Sequence, residues 1–304
     1  MRFFSSKVNW RLILFFHIAV VGCAQAPTKT FTTEDIDVLF LQKNLKVPIA
    51  LSPQTVIVDA RPAFEYAVVH PPNAINLQWR DFCDPSGSAS GVLRKDQTEG
   101  ARRLSLMGVT PSSQVVVVGA GLNGRGEEGR IAWTLLYLGI QDVQTAQLDS
   151  LGFRYSNTEA PPRANKPLWV PNLRSQIAVG LDEFKELMQQ SEKAPAGNLD
   201  GRVVFIDVRP AEEVQLTQQL VSQRASKFHP LNLSWNTFFG QNGRPDFSVR
   251  QRLAALKIGS KDRIIVISNH GVRSGAVTYA LLALGYKKAA NYAGGYEELL
   301  NLNK

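Results

Sequence analysis

The chain has 304 residues, of which 44% are hydrophobic and 20% charged, and its formal net charge is +8. This composition predicts a folded protein rather than a disordered one, and the length suits two domains that each bury a core. Acidic and basic residues are interspersed, with no Lys/Arg-rich run and no basic stripe with interleaved aromatic residues, so the sequence argues against nucleic-acid binding.

Residues 1–26 form a predicted lipoprotein signal peptide and anchor. Arg2, Lys7 and Arg11 make a basic region, and the apolar stretch Leu12–Gly22 that follows is too short to span a bilayer. Removing these three cations from the +8 total leaves +5 on the mature chain.

The apolar stretch ends in a sequence, Val20–Cys23, that resembles the bacterial lipobox. Acylation of Cys23 would hold the mature chain at a membrane surface by a lipid anchor only, without a spanning helix. The alternatives are cleavage after Ala26, which the following Pro27 disfavours, and an uncleaved anchor. We therefore expect a periplasm-facing, lipid-anchored protein of the bacterial cell envelope. Ala24 favours the outer membrane, because many bacteria place Asp there for inner-membrane retention.

The chain contains two cysteines, Cys23 and Cys83. If Cys23 is lipidated, neither an intramolecular disulfide nor a cysteine-based metal site can form, and we expect no cofactor. Two interpretations of Cys83 remain, a small apolar side chain in the core and a reactive thiol, and the first is favoured.

The sequence repeats itself with a spacing of about 148 residues. Four landmarks recur in the same order, which predicts a duplicated domain: the stretch around Asp59 and Arg61 with that around Asp207 and Arg209, Ile75–Trp79 with Leu231–Trp235, Val115–Val118 with Ile264–Ile267, and Leu135–Gly139 with Leu281–Gly285.

Each copy of the repeat alternates predicted strands with predicted helices. The strands are short β-branched runs, as in parallel sheets covered on both faces: Val56–Val58, Val115–Val118, Val203–Ile206 and Arg263–Ile267. The predicted helices Arg130–Leu138 and Ser274–Leu284 end at Gly139 and Gly285, which suit left-handed C-caps. The pattern predicts an α/β fold of two tandem domains, each a doubly wound, mainly parallel sheet flanked by helices. The boundaries are 31–156 and 175–304, joined by a proline-rich linker at 157–174.

These motifs resemble rhodanese domains, and the tandem arrangement is similar to the thiosulfate/3-mercaptopyruvate sulfurtransferase family. In that family the second domain carries an active loop of the form Cys-x-x-Gly-x-Arg directly after its central strand. The corresponding loop here reads Ser268, Asn269, His270, Gly271, Val272 and Arg273. The resemblance thus places serine at the nucleophile position, and residues 31–156 match the non-catalytic type of domain.

Sulfur transfer requires a thiolate that becomes a persulfide, and a serine hydroxyl stays protonated at neutral pH. The sequence therefore predicts a pseudoenzyme whose loop, Ser268–Arg273, binds a small oxyanion such as thiosulfate, sulfite or sulfate, or an envelope protein as partner. Three alternatives stay open. The protein is an active sulfurtransferase, for instance through Cys83, or a structural envelope scaffold, or it carries a hydrolytic pair of Ser268 and His270.

Several residues also have structural interpretations. Gly271 and Arg273 would persist without any ligand if the strand-to-helix turn needs the glycine and a carboxylate holds the arginine. The Asp-x-Arg pairs, Asp59 with Arg61 and Asp207 with Arg209, are expected to tie neighbouring loops together by charged hydrogen bonds. The matched aromatic residues are expected to pack in the core or between domains: Trp79, Phe82, Trp235 and Phe238.

Overall fold

The structure, a computed structural model, describes residues 45, 48–158, 166–193, 202–216 and 228–301. The predicted signal peptide and anchor at 1–26, including Cys23, and residues 159–165 of the predicted linker lie outside these ranges. Within the described ranges, no helix is long and apolar enough to cross a membrane.

The first copy of the repeat forms a four-stranded parallel sheet in the order β2-β1-β3-β4. Its strands are β1 (Val56–Asp59), β2 (Ile75–Asn76), β3 (Gln114–Gly119) and β4 (Asp142–Gln147). Its helices are α1 (Ala63–Val68), α2 (Thr98–Leu106) and α3 (Glu127–Tyr137), with short 3-10 helices at Trp79–Phe82, Gly121–Asn123 and Leu148–Leu151.

The second copy forms a five-stranded parallel sheet in the order β5-β9-β8-β6-β7. Its strands are β5 (Ala178–Val179), β6 (Val203–Asp207), β7 (Leu231–Asn232), β8 (Arg263–Ile267) and β9 (Ala289–Tyr292). Its helices are α4 (Leu181–Lys193), α5 (Val249–Ala255), α6 (Val272–Ala283) and α7 (Gly295–Asn301), with 3-10 helices at Ser175–Ile177 and Trp235–Phe238 and a helical segment at 211–216. Both sheets confirm the predicted α/β fold.

The central strands are apolar beyond their first residue because both faces of each sheet are covered. Val115–Val118 of β3 and Ile264–Ile267 of β8 are completely buried. One cluster of buried side chains includes Val58 and Val117 of the first copy together with Ile206 and Val266 of the second. The two copies therefore share a continuous hydrophobic core.

Helices α3 and α6 end as the sequence predicts, at glycines in the left-handed region: φ is +100° at Gly139 and +96° at Gly285. Their predicted starts are wrong by three and two residues, because α3 begins at Glu127 and α6 at Val272. Hydrophobic periodicity does not detect a polar first turn, which acidic side chains such as those of α3 stabilise at a helix N-terminus.

The described part of the predicted linker, residues 166–174, runs without helix or strand along the first copy. The Lys166 amide donates to the Ser105 carbonyl at 3.1 Å, and the Trp169 indole donates to the Val109 carbonyl at 3.1 Å. These two hydrogen bonds hold this part of the chain against the first copy.

Candidate functional site

The loop between β8 and α6 begins with Ser268, whose side chain is only 1% exposed. Its Oγ lies 3.0 Å from the Oγ of Ser274 and accepts the Ser274 amide at 3.2 Å. The hydroxyl is therefore held at the first turn of α6 and does not project into solvent.

The amides that follow Ser268 form a run of unused donors. None of the N–H groups from Asn269 to Arg273 donates to another group in the described part of the chain. Gly271 has φ +70°, and a Cβ there would lie 2.1 Å from the Ala293 carbonyl oxygen. The loop therefore requires glycine at this position, as the structural interpretation also expects.

Arg273 is engaged by a carboxylate. Its two terminal nitrogens bond the two oxygens of Glu213 at 2.7 Å each, and this arginine holds the pKa of Glu213 below its usual value. The side-chain NH₂ of Asn269 also donates to Glu213, at 3.1 Å. The carboxylate offsets most of the positive charge that Arg273 would offer to an anion.

The Asp-x-Arg pairs do connect neighbouring loops, which confirms that expectation. Arg209 bonds Asp207 with distances down to 2.7 Å and donates to the side-chain oxygen of Asn269 at 3.1 Å. In the first copy, Arg61 bonds Asp59 in the same way and donates to the Val69 carbonyl at 2.7 Å.

His270 does not pair with Ser268. Its Nδ1 lies 3.0 Å from Oε2 of Glu297 and 3.4 Å from the hydroxyl of Ser90, and the side chain is 52% exposed. The hydrolytic Ser268–His270 pair is therefore not formed, and the histidine lies at the mouth of the loop.

A cavity of about 650 Å³ opens in front of the loop and is lined by both copies of the repeat. The second copy contributes Ser268–His270, Arg273 and Trp235, and the first contributes Trp79, Arg80 and Arg125. The sequence predicted the loop but missed the contribution of the first copy. One sequence feature could have indicated this contribution: Trp79 and Trp235 occupy equivalent positions of the repeat, a match that by itself predicts only packing in the core or between domains.

The two tryptophans are largely buried, at 9% and 6% exposure, so the packing interpretation is correct but incomplete. The Arg80 guanidinium stacks over the Trp79 ring, 4.3 Å from its centre. Phe82 and Phe238 are almost completely buried, as expected of core residues.

In the first copy, the side chain of Glu128 occupies the equivalent loop. Gly119, the last residue of β3, corresponds to Ser268, which follows β8, and a Cβ at Gly119 would lie 2.4 Å from Oε2 of Glu128. Glu128 is 3% exposed, and burial raises its pKa to about 8. The buried carboxyl group of Glu128 is therefore protonated near neutral pH and occupies the space next to Gly119.

Cys83 is a free, buried thiol, 4% exposed, which confirms the predicted core position. Burial raises the pKa of Cys83, although Arg130 lies 3.6 Å from its sulfur and opposes that shift. Arg130 is itself completely buried and donates to the carbonyls of Gly271 (2.8 Å) and Gly91 (2.9 Å). This arginine therefore links the first copy to the loop of the second.

Among the described residues, no group of three or more His, Cys, Asp or Glu side chains is placed to hold a metal ion.

Comparisons with solved structures return several structures of EanB. A doubly substituted EanB variant with hercynine superposes with a TM-score of 0.63 at 17% identity, covering 83% of this chain and 63% of that one. The anaerobic ergothioneine biosynthesis enzyme from Chlorobium limicola, with its substrate trimethyl histidine, gives 0.62 at 17% identity, with 83% and 64% covered. An EanB variant with a cysteine-to-serine substitution, also with hercynine, gives 0.61 at 18%, with 83% and 63% covered.

At these identities the likeness shows the fold alone, and the chain spans less than two thirds of the length of those enzymes. No curated protein sequence matches the chain. The family model of the rhodanese-like domain matches twice, at residues 42–146 and 182–302, in agreement with the two parallel sheets. The chain therefore belongs to the rhodanese-like domain family.

Proposed function

We propose that this protein binds a small oxyanion, such as thiosulfate, sulfite or sulfate, at the loop Ser268–Arg273 and does not transfer sulfur. In the bacterial envelope it is held, facing the periplasm, by a lipid on Cys23. The observation that carries the proposal is the run of unused amides from Asn269 to Arg273 at the start of α6, directly after a buried serine. Amides at a helix N-terminus are a recurrent binding site for anions.

The serine explains the absence of transfer. A persulfide forms only on a thiolate, and the Ser268 oxygen is neither a thiolate nor free, because it is bonded to Ser274. One comparison supports binding without transfer: in EanB, the cysteine that carries the persulfide has been replaced by serine in a complex with hercynine. In that enzyme a serine at the persulfide position is compatible with a bound ligand.

The charges around the cavity favour an anion despite the Arg273–Glu213 pair. Arg80, Arg125 and Arg273 line the cavity together with Glu127 and Glu213, so cations outnumber carboxylates there by one, and neither Arg80 nor Arg125 forms a side-chain ion pair in the described part of the chain. Behind the loop, Arg130 is buried without an acidic partner among the described residues and contacts the Gly271 carbonyl. A buried guanidinium adds to the positive potential at the loop because little solvent screens it.

The alternative of an active sulfurtransferase that uses Cys83 is disfavoured by the position of this residue. The thiol is buried, donates to the Trp79 carbonyl at 3.4 Å, and has a raised pKa. A reactive cysteine needs an accessible thiolate, which is the opposite environment.

The proposal is tested by calorimetry with sodium thiosulfate and sodium sulfate, and by a cyanide-dependent sulfur-transfer assay. We expect both anions to bind and no turnover in the wild type. In the Ser268→Cys variant the loop amides would stabilise the thiolate, which should attack the sulfane sulfur of thiosulfate, break its S–S bond and release sulfite. The introduced cysteine should then carry a persulfide.

Turnover by the wild type that disappears in Cys83→Ala would refute the proposal and establish the sulfurtransferase alternative. If neither anion binds, the oxyanion site is wrong and the structural scaffold becomes the better account. Retention of the protein in the aqueous phase after detergent partition, unchanged by Cys23→Ala, would contradict the lipid anchor.

A further inference from the structure

The cavity is much larger than the anion that the loop amides can hold. Its volume is about 650 Å³, within the range of about 300–1,000 Å³ that is typical of pockets for drug-sized ligands. A tetrahedral oxyanion takes the room of about two water molecules at ~30 Å³ each. Most of the cavity would therefore remain unfilled if a small inorganic anion were the only occupant.

The lining of this remaining space is aromatic as well as cationic. Trp79 and Trp235 occupy equivalent positions in the two copies, each at the first residue of a 3-10 helix, and both line the same cavity. Val272, within the loop, adds an aliphatic side chain. Indole rings and aliphatic side chains are complementary to an apolar or aromatic body.

The first copy contributes two cations, Arg80 and Arg125, to the cavity that the loop amides of the second copy also line. Arg80 and Arg125 are both exposed, so their guanidinium groups are hydrated and available to a ligand. The Arg80 group lies over the Trp79 ring, which presents a cation and an indole to the cavity as one unit.

We infer that the ligand is an organic anion in which an oxyanion headgroup, of the sulfonate or sulfate-ester class, is attached to an apolar or aromatic body. The headgroup binds the amides of Asn269–Arg273, and the body lies against the indoles of Trp79 and Trp235. This inference rests on the proposed function and extends it, because it names the class of molecule that the whole cavity accepts.

The experiment measures calorimetric affinities of the full chain for naphthalene-2-sulfonate, sulfate and 2-naphthol at one ionic strength. We expect the sulfonate to bind at least about tenfold more tightly than sulfate, because aromatic burial adds to the headgroup contacts. Naphthol, which lacks the charge, should bind at least about tenfold more weakly than the sulfonate. Thiosulfate should compete with the sulfonate in the wild type, which requires no variant.

Two variants distinguish the contacts of the apolar body from those of the charged headgroup. Trp235→Leu should weaken naphthalenesulfonate about tenfold and leave sulfate within about twofold, because it removes aromatic contact only. Arg125→Gln should weaken both anions by about threefold, whereas Arg102→Gln, an exposed arginine of α2 outside the cavity, should weaken neither.

The possible failures are distinguishable. If sulfate binds and naphthalenesulfonate binds no more tightly, the organic-anion inference is overturned and oxyanion binding stands. If sulfate does not bind, and naphthol binds as well as the sulfonate, both the inference and the proposed function are wrong. If thiosulfate does not displace the sulfonate, the aromatic ligand occupies another site and the inference is again refuted.

Discussion

The substitution Glu128→Gln should stabilise the protein, and the gain should grow with pH. Glu128 is buried in the loop of the first copy, where burial raises its pKa to about 8 from an ordinary value of 4.5. Below pH 4.5 the carboxyl is protonated in both the folded and the unfolded chain, so it contributes no pH dependence. Between pH 4.5 and 8 the unfolded chain loses this proton while the folded chain keeps it, so the free energy of unfolding falls as pH rises.

The magnitude follows from the size of the shift. Each pH unit in this window costs up to about 1.4 kcal/mol, so the folded state loses about 3 kcal/mol by pH 7 and about 5 kcal/mol above pH 8, both as upper limits. Glutamine has nearly the same shape as the protonated carboxyl and does not titrate. The difference in unfolding free energy between variant and wild type should therefore widen from pH 5 to pH 8.

The assay is urea or thermal unfolding of both proteins at pH 5, 6, 7 and 8. At pH 7 a gain of about 3 kcal/mol corresponds to a rise in Tm of roughly 6–12 °C for a chain of this size. Glu99→Gln serves as the matched control, because Glu99 is an exposed carboxylate of α2 and should give a small difference that does not vary with pH. A constant difference between Glu128→Gln and the wild type across this range would refute the reasoning.

Three further predictions concern the loop of the second copy and the buried thiol. Gly271→Ala should destabilise the protein by about 2 kcal/mol or more and abolish thiosulfate binding, measured by unfolding and calorimetry, because the new Cβ would collide with the Ala293 carbonyl at φ +70°. Glu213→Gln should raise sulfate affinity several-fold, since it leaves the charge of Arg273 uncompensated; unchanged or weaker calorimetric binding would contradict this. Cys83 should resist alkylation in the native protein and react after unfolding, as followed by mass spectrometry of its peptide, because it is 4% exposed; rapid native labelling would show an accessible thiol instead.

The sequence predicted those parts of the fold that depend on local pattern and repetition. The β-branched runs that became β3 and β8 are continuous because both faces of each sheet are covered, and Gly139 and Gly285 mark the ends of α3 and α6. The loop beginning at Ser268 was found because it follows directly from the end of β8. Strands, helix ends and a loop that directly follows a strand can be predicted because each depends on residues that are close together in the sequence.

The rest of the site depends on contacts between residues distant in the chain. Trp79 and Arg125 reach the cavity only through the packing of α3 against α6, and no local pattern records that packing. The pairing of Arg273 with Glu213 joins residues 60 positions apart. The buried carboxyl group of Glu128 lies against Gly119 in the loop of the first copy, and the sequence does not record this side-chain direction.

The hydrophobic cluster that joins the copies has a consequence for the history of the duplication. Val117 and Val266 belong to one core, and Arg130 of the first copy holds the Gly271 carbonyl of the second. Each copy therefore covers apolar surface of the other. A fragment that contains only one copy would expose this apolar surface to water. Two equivalent units thus depend on each other to bury their apolar surfaces, which favours the retention of both copies whatever chemistry either loop performs.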